Sequence, residues 1–582
     1  MRIVFGFVAS FMLVFHPAFG EATYQHSEDG SPRTLDPVAM RNLYANTLIT
    51  SVYDTLLEYK YLKEPYELKT NLASSMPYVS ANGLSFTIPI KKGVFFQNDS
   101  CFAKGVGREV VAEDFIFSMK RHFDKKNAST GKWLWQGKIK GLDEWGAAGA
   151  DYSKKIAGLF AKDKYTIQII LKKPFPQFLY TLAMGFAAVV PREAVDKYGK
   201  ELAIRPVGSG PWVLKEFNSK KAILEKNKRF RSEVFNLQEH GYDEKKHAYT
   251  GIVKLDKRKL PIMDKIELHF MEAESSRWNS FTKGSEVQYS WIPSIQFNQV
   301  LETRNPVKLK SAFEKLYKFR VMREMGYVYM EFNMNDPLFG YHSNPEQNKK
   351  NRALRCAIRK GFNWQDRIQK MYYGIGQAFP GIIPPGIEGA NLKLSKESIT
   401  LDIAGAKRLL EENGWNKNNL PDFYYSGVNS VKQRQFFTQF RSWMEKIGYP
   451  KRKIKSKMFA NFGDYSKAVK SNQLMVHILG WGLDYPDAEN VLQLYYGPNK
   501  SPGSNSSNYD NPKYNRLYEK SASMQPGPER TSLYEQANQI LIDDCVVVSG
   551  FSRTRVHMWH KNVVMYPNRD VLGNYFKYIA VE

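Results

Sequence analysis

Cysteine is nearly absent: Cys101, Cys356 and Cys545 are the only three in 582 residues. That excludes a disulfide scaffold, and their wide spacing fits no zinc motif. All three read as structural, and the odd number leaves at least one unpaired or bridging outward. Long apolar runs are missing too. The one sustained stretch, Ile3 to Phe15 behind Arg2, falls well short of the ~20 residues that span a bilayer. Ala18-Phe19-Gly20 then places small residues where a signal peptidase cuts. Residues 1–22 are therefore expected to be a secretory signal peptide, cleaved after Gly20 or Ala22, with no lipobox cysteine at the new terminus. The expected location is periplasmic. His-Glu-x-x-His, Gly-x-Ser-x-Gly and the Walker phosphate loop are all lacking, which removes the commonest hydrolytic signatures.

Acidic residues are outnumbered, 58 Asp and Glu against 84 Lys and Arg, for a formal charge of +26. Basic clusters stand at Lys226-Asn227-Lys228-Arg229, Lys257-Arg258-Lys259 and Lys451-Arg452-Lys453. In an exported chain these read as solvated faces with a weak attraction for anionic surfaces, not as a nucleic-acid site. The mean hydropathy of −0.48 describes a soluble globular protein. Its length leaves room for two or three domains. No repeat, low-complexity tract or Gly/Ser linker interrupts it, so the domains are expected to be woven together.

Strands and helices alternate along the chain. Leu84 to Ile90 has period-two alternation and closes on Lys91-Lys92-Gly93, and Thr166 to Leu171 is a second strand. Ala112 to Arg121 places Phe115, Ile116 and Met119 on one helical face, acids early and bases late. Further helices are expected at Arg352–Lys360, Ile403–Glu412, Val431–Ile447 and Glu529–Asp543. The mixture predicts an α/β architecture. Leu474 to Leu479 reads as a short buried strand ended by Gly480, with Trp481 and Asp484 at its mouth, where α/β sheets hold ligands. An aromatic wall beside a lone carboxylate suits an ammonium group.

Several motifs, in order, resemble the peptide/nickel-type solute-binding proteins of ABC importers, family 5. They are Thr34-Leu35-Asp36-Pro37, Val52 to Leu57, Ile90 to Phe96, Val111 to Phe115, Pro206 to Leu214, Leu260 to Ile266, Asn351 to Arg355, Ala406 to Leu410 with Asn413-Gly414-Trp415, and the Trp481 to Asp487 turn. The resemblance implies a two-lobed periplasmic binding protein type II fold with an extra subdomain inserted in lobe I. Projected here, lobe I would be 23–50, 200–320 and 550–582, its inserted subdomain 51–199, and lobe II 321–549. Two departures, Gln97–Arg108 with Cys101 and the stretch between Phe230 and Leu260 with His240 and His247, are expected to decorate the surface, their histidines facing solvent.

The resemblance also implies a function. Asp484 matches the aspartate that holds a peptide's α-amino group after a Gly-Trp pair. Trp481, Gly482 and Tyr485 would surround it. Arg33 and Thr34 from lobe I, Trp133 from the inserted subdomain, and Tyr327 and Tyr329 after the hinge would be further ligand contacts. Ile478 stands where some members place an arginine for the ligand carboxylate. The partners would be a peptide and an importer permease in the inner membrane, with no nucleic acid; a monomer is expected, and no cofactor is implied. The alternatives are a non-peptide ligand (metal chelate, haem, glycopeptide or sugar) or a secreted hydrolase using Asp484 with Asp487, or Ser129 with Lys132.

Overall fold

In the four-residue motif Thr34 to Pro37, Asp36 caps the turn Pro37–Ala39 and forms a two-pronged pair with Arg121, at 2.8 and 2.7 Å. That pair ties the first loop to the helix Ala112–Arg121, which closes its own N-terminus through Asp114 accepting from the Val111 N–H at 2.9 Å. The structure, a computed structural model, describes residues 22–284, 286–567 and 573–582. Apart from Ala22, the expected signal peptide lies outside the described residues.

Four larger sheets organise the chain. Thr23–Glu28, Lys265–Phe270, Lys221–Lys226 and Trp212–Phe217 form the first, in that order. Tyr78–Val79, Ser85–Pro89, Thr166–Ile170 and Leu159–Asp163 form an antiparallel sheet. One continuous core joins these two sheets, running from Phe86 and Ile88 to Trp212 and Ile266. Tyr289–Trp291, Thr554–His560 and Tyr317–Arg323 make the third sheet. The fourth, in lobe II, has six strands in the order Gln377–Ala378, Val547–Ser552, Gly326–Phe332, Val476–Gly482, Phe423–Val428 and Ile454–Phe459.

The chain crosses between the third and fourth sheets twice, once at Glu324-Met325 and once at Arg553. The two crossings are clamped together. The Glu324 carboxylate accepts from Nε of Arg553 at 2.7 Å and of Arg555 at 2.8 Å, and its N–H donates to the Arg553 carbonyl at 2.8 Å. Helices cover both faces of the six-stranded sheet, giving it two separate cores. Cys356, on the helix Pro345–Lys360, is bonded to Cys545 beyond the helix Pro528–Asp543, while Cys101 remains a free thiol.

Three expectations need correction. The strand before the Trp481 turn does not stop at Gly480; it runs Val476–Gly482, because Gly480 pairs with Val328 and Trp481 with Tyr327 in the ladder. The stretch after Phe230 is not surface decoration. His240 and His247 are 2% and 1% exposed. His240 Nδ1 accepts from the Tyr61 N–H at 3.0 Å within a ring cluster of Phe235 and Tyr578, and His247 Nδ1 accepts from Asp243 N–H at 2.8 Å. Aromatic packing thus outweighs the polarity of the surrounding sequence. The Gln97–Arg108 insertion likewise buries Gln97 and Phe102, the latter stacked on Phe96.

Candidate functional site

The Trp481 to Asn490 segment leaves the sheet at the carboxyl end of Val476–Gly482 and turns into the short helix Glu489–Leu492. One side chain organises the turn. The Asn490 carbonyl oxygen accepts from the Trp481 indole and from the Asp484 N–H, both at 3.0 Å, while its amide donates to the Asp484 carboxylate at 3.1 Å. Asn490 is fully buried, so the carboxylate is held from below in a fixed position.

Asp484 has no cation among the described residues. Among the described residues Asn490 is its one side-chain partner, and no Lys, Arg or His comes within ion-pair reach. Burial pushes its carboxyl up to about 6, only partly opposed by the Asn490 hydrogen bond. A sheltered carboxylate without a counter-charge is costly to keep ionised, and that cost is what a bound ammonium would remove.

Tyrosines from the first 180 residues face this turn. Tyr180 stacks on Tyr485 with ring centres 5.9 Å apart and planes within 4°, and Tyr59 continues the column behind Tyr180 at 6.3 Å. Tyr66 closes it edge-on against Tyr59 at 6.0 Å. The Tyr59 hydroxyl is buried without a partner, and burial, the neighbouring Tyr180 and Tyr66, and the Asp484 charge all hold its phenol well above the usual range. Lys138 also lies within electrostatic reach of this turn: burial lowers its ammonium, and Glu489 opposes the shift. Glu489 is itself raised by burial, against the hydrogen bonds it accepts at 2.5 Å from Tyr485 and Tyr518.

The expected site residues therefore fall into groups. Asp484, Trp481, Gly482 and Tyr485 are brought together, with Tyr485 engaged by Glu489 and Tyr180. Tyr327 and Tyr329, each 3% exposed and stacked at 4.5 Å, belong to the lobe II core beneath the turn. Arg33 and Trp133 are exposed, and Thr34 spends its hydroxyl on the Asp36 N–H at 3.0 Å. Asn490, Tyr59, Tyr180 and Lys138 were not expected, and none of them carried a sequence signal that set it apart.

The hydrolytic arrangements do not form. Asp487 points away from Asp484 into an ion pair with Arg530 at 3.1 Å. Ser129 bonds to His122 at 2.7 Å, not to Lys132, whose ammonium lies 5.2 Å over the Phe123 ring. That histidine is locked by its other nitrogen against the Phe186 carbonyl at 2.8 Å, and burial lowers it to about 4.

Comparison with known proteins identifies the family and the fold. The fold is that of the two-lobed periplasmic binding proteins. The profile of the bacterial extracellular solute-binding proteins, family 5, matches residues 67–503, and the chain belongs to that family. It is similar to the heme-binding protein A of Haemophilus influenzae, 25% identical over 509 residues covering 85% of this chain and 80% of that protein. The dipeptide-binding protein of Escherichia coli is 24% identical over 572 residues, covering 96% and 95%. Among solved structures, the periplasmic binding protein DppA of Helicobacter pylori in complex with the peptide STSA superposes with a TM-score of 0.69 at 22% identity, over 97% of this chain and 99% of that one. The family is extracytoplasmic. No helix among the described residues is long and apolar enough to cross a membrane.

Proposed function

We propose that this protein captures peptides with a free amino terminus between its lobes in the periplasm and delivers them to the permease of an ABC importer. The carrying observation is Asp484: a half-buried carboxylate, fixed by Asn490 and given no cation by the described residues. An ammonium sealed from water needs such a partner, and the pairing selects for a free amine. The peptide backbone would lie extended, held by strand-like hydrogen bonds, with its side chains in hydrated space. The haem and dipeptide relatives show that ligand chemistry varies at this level of identity, so the choice rests on the amine site.

Native mass spectrometry of the exported protein, followed by denaturation, tests this reading. Peptides with free amino termini are expected to be released from the native protein and to be absent from Asp484→Asn. Release of haem, or of one non-peptide species from both proteins, would overturn it.

A further inference from the structure

Residues 431–470 carry eleven Lys and Arg against two Asp and Glu, so about a third of the formal charge of +26 sits in this short segment. It forms the helix Val431–Lys446, the strand Ile454–Phe459 and the helix Phe462–Lys470. The strand is the outer edge of the lobe II sheet, paired only with Phe423–Val428. Lys451, Arg452, Lys455, Lys457, Lys467 and Lys470 are all exposed. Of these, only Lys455 reaches a carboxylate among the described residues, Asp422 at 2.5 Å. Lysines on an edge strand guard against strand pairing, which accounts for Lys455 and Lys457 but not for the four basic residues off the strand.

Aromatic and apolar groups are set among these charges. The Lys455 ammonium lies 5.4 Å over Tyr424 and that of Lys457 lies 5.6 Å over Phe459. Val431 and Phe462 are 63% and 64% exposed. Each is the first residue of a helix that follows one of the two parallel strands Phe423–Val428 and Ile454–Phe459. Val476–Gly482 is parallel to them, so these apolar side chains stand at the same end of the sheet as Trp481.

We infer that this edge of lobe II docks on an anionic phospholipid surface, its lysines meeting the headgroups and Phe462 entering the interface. Basic residues flanked by exposed aromatic and aliphatic side chains are what such a surface attracts. Docking there brings the carboxyl ends of the strands, and with them the ligand turn, to the bilayer.

Cosedimentation with vesicles of phosphatidylcholine, alone or mixed with phosphatidylglycerol, tests the assignment. Binding is expected only with phosphatidylglycerol and is lost at high salt. Each lysine near such a surface contributes about fivefold, so K455Q/K457Q/K467Q/K470Q should lose about a hundredfold or more. A second variant neutralising the exposed Lys125, Lys126, Lys154 and Lys155 should bind as the native protein does. Ligand capture and thermal midpoint should be unchanged in both, which separates this inference from the peptide reading. Equal loss in the two variants would reduce the effect to net charge and overturn it. So would absence of binding by the native protein, or retention on heparin with no preference for the anionic vesicles.

Discussion

Asp484 and Asp487 stand three residues apart in one turn, both sheltered from water, and are held in opposite ways. Asp487, 2% exposed, meets Arg530 at 3.1 Å and also accepts from the Tyr534 hydroxyl at 2.8 Å and the Glu489 N–H at 2.9 Å. Asp484 meets one amide. The fold neutralises the first carboxylate with its own groups and gives the second no counter-charge among the described residues. Asp487 and Arg530 anchor the turn to the helix Pro528–Asp543, which lets Asp484 keep its place while uncompensated.

The sharpest way to break this comparison is to remove a partner from each side. Arg530→Met leaves Asp487 buried without its cation, and unfolding free energy measured in urea should fall by about 3–5 kcal/mol. Asp484→Asn should leave that free energy unchanged or raised, while calorimetry shows peptide affinity falling by about 2–5 kcal/mol. If both substitutions cost stability alike, the two carboxylates are equivalent and the amine site is lost with the distinction.

The pH dependence sharpens it further. A folded-state carboxyl raised from 3.8 to about 6 binds its proton more tightly than the unfolded chain does. The ligand-free protein therefore has this contribution fully in place at low pH and loses it as pH rises through about 6, by about 3 kcal/mol at most. Affinity for an amine runs the other way, increasing over the same window as the carboxylate ionises. Thermal melts of ligand-free protein and titrations from pH 4 to 8 should show the two trends crossing, and Asp484→Asn should flatten both. Glu489 is shifted in the same direction and adds to the first trend alone.

Local signals explain what could be read in advance. The helix Ala112–Arg121 and the helix Ile403–Glu412 matched residue for residue, because apolar spacing coincides with terminal charges in the first and with the Asp402 cap and Gly414 stop in the second. The helix beginning at Pro345 was expected only from Arg352, since its first two turns are polar and carry no periodicity. Gly480 read as a strand end because glycine usually ends strands, whereas pairing with Val328 decides its conformation. Asp484 was singled out from its Gly-Trp turn, and the structure places it beyond the carboxyl end of that strand. Its tyrosine column was not legible, for Tyr59 and Tyr180 come from a segment folded elsewhere in the chain and meet the turn only through tertiary packing.

That column gives the smallest expected effect and the finest test of the comparison. Tyr485 belongs to the turn, Tyr180 to the short helix Phe178–Thr181, and their stacked rings are a contact made only when the two are together. An aromatic pair of this kind contributes about 0.5–1.5 kcal/mol beyond area burial. Tyr180→Ala should therefore speed peptide release in stopped-flow by about two- to tenfold, while Tyr180→Phe, which keeps the ring, should release at close to the native rate. The unfolding free energy should move far less than in Arg530→Met, because Tyr180 is only half-buried. A Tyr180→Ala protein that releases its peptide at the native rate would show that Asp484 alone, without the facing column, retains the ligand.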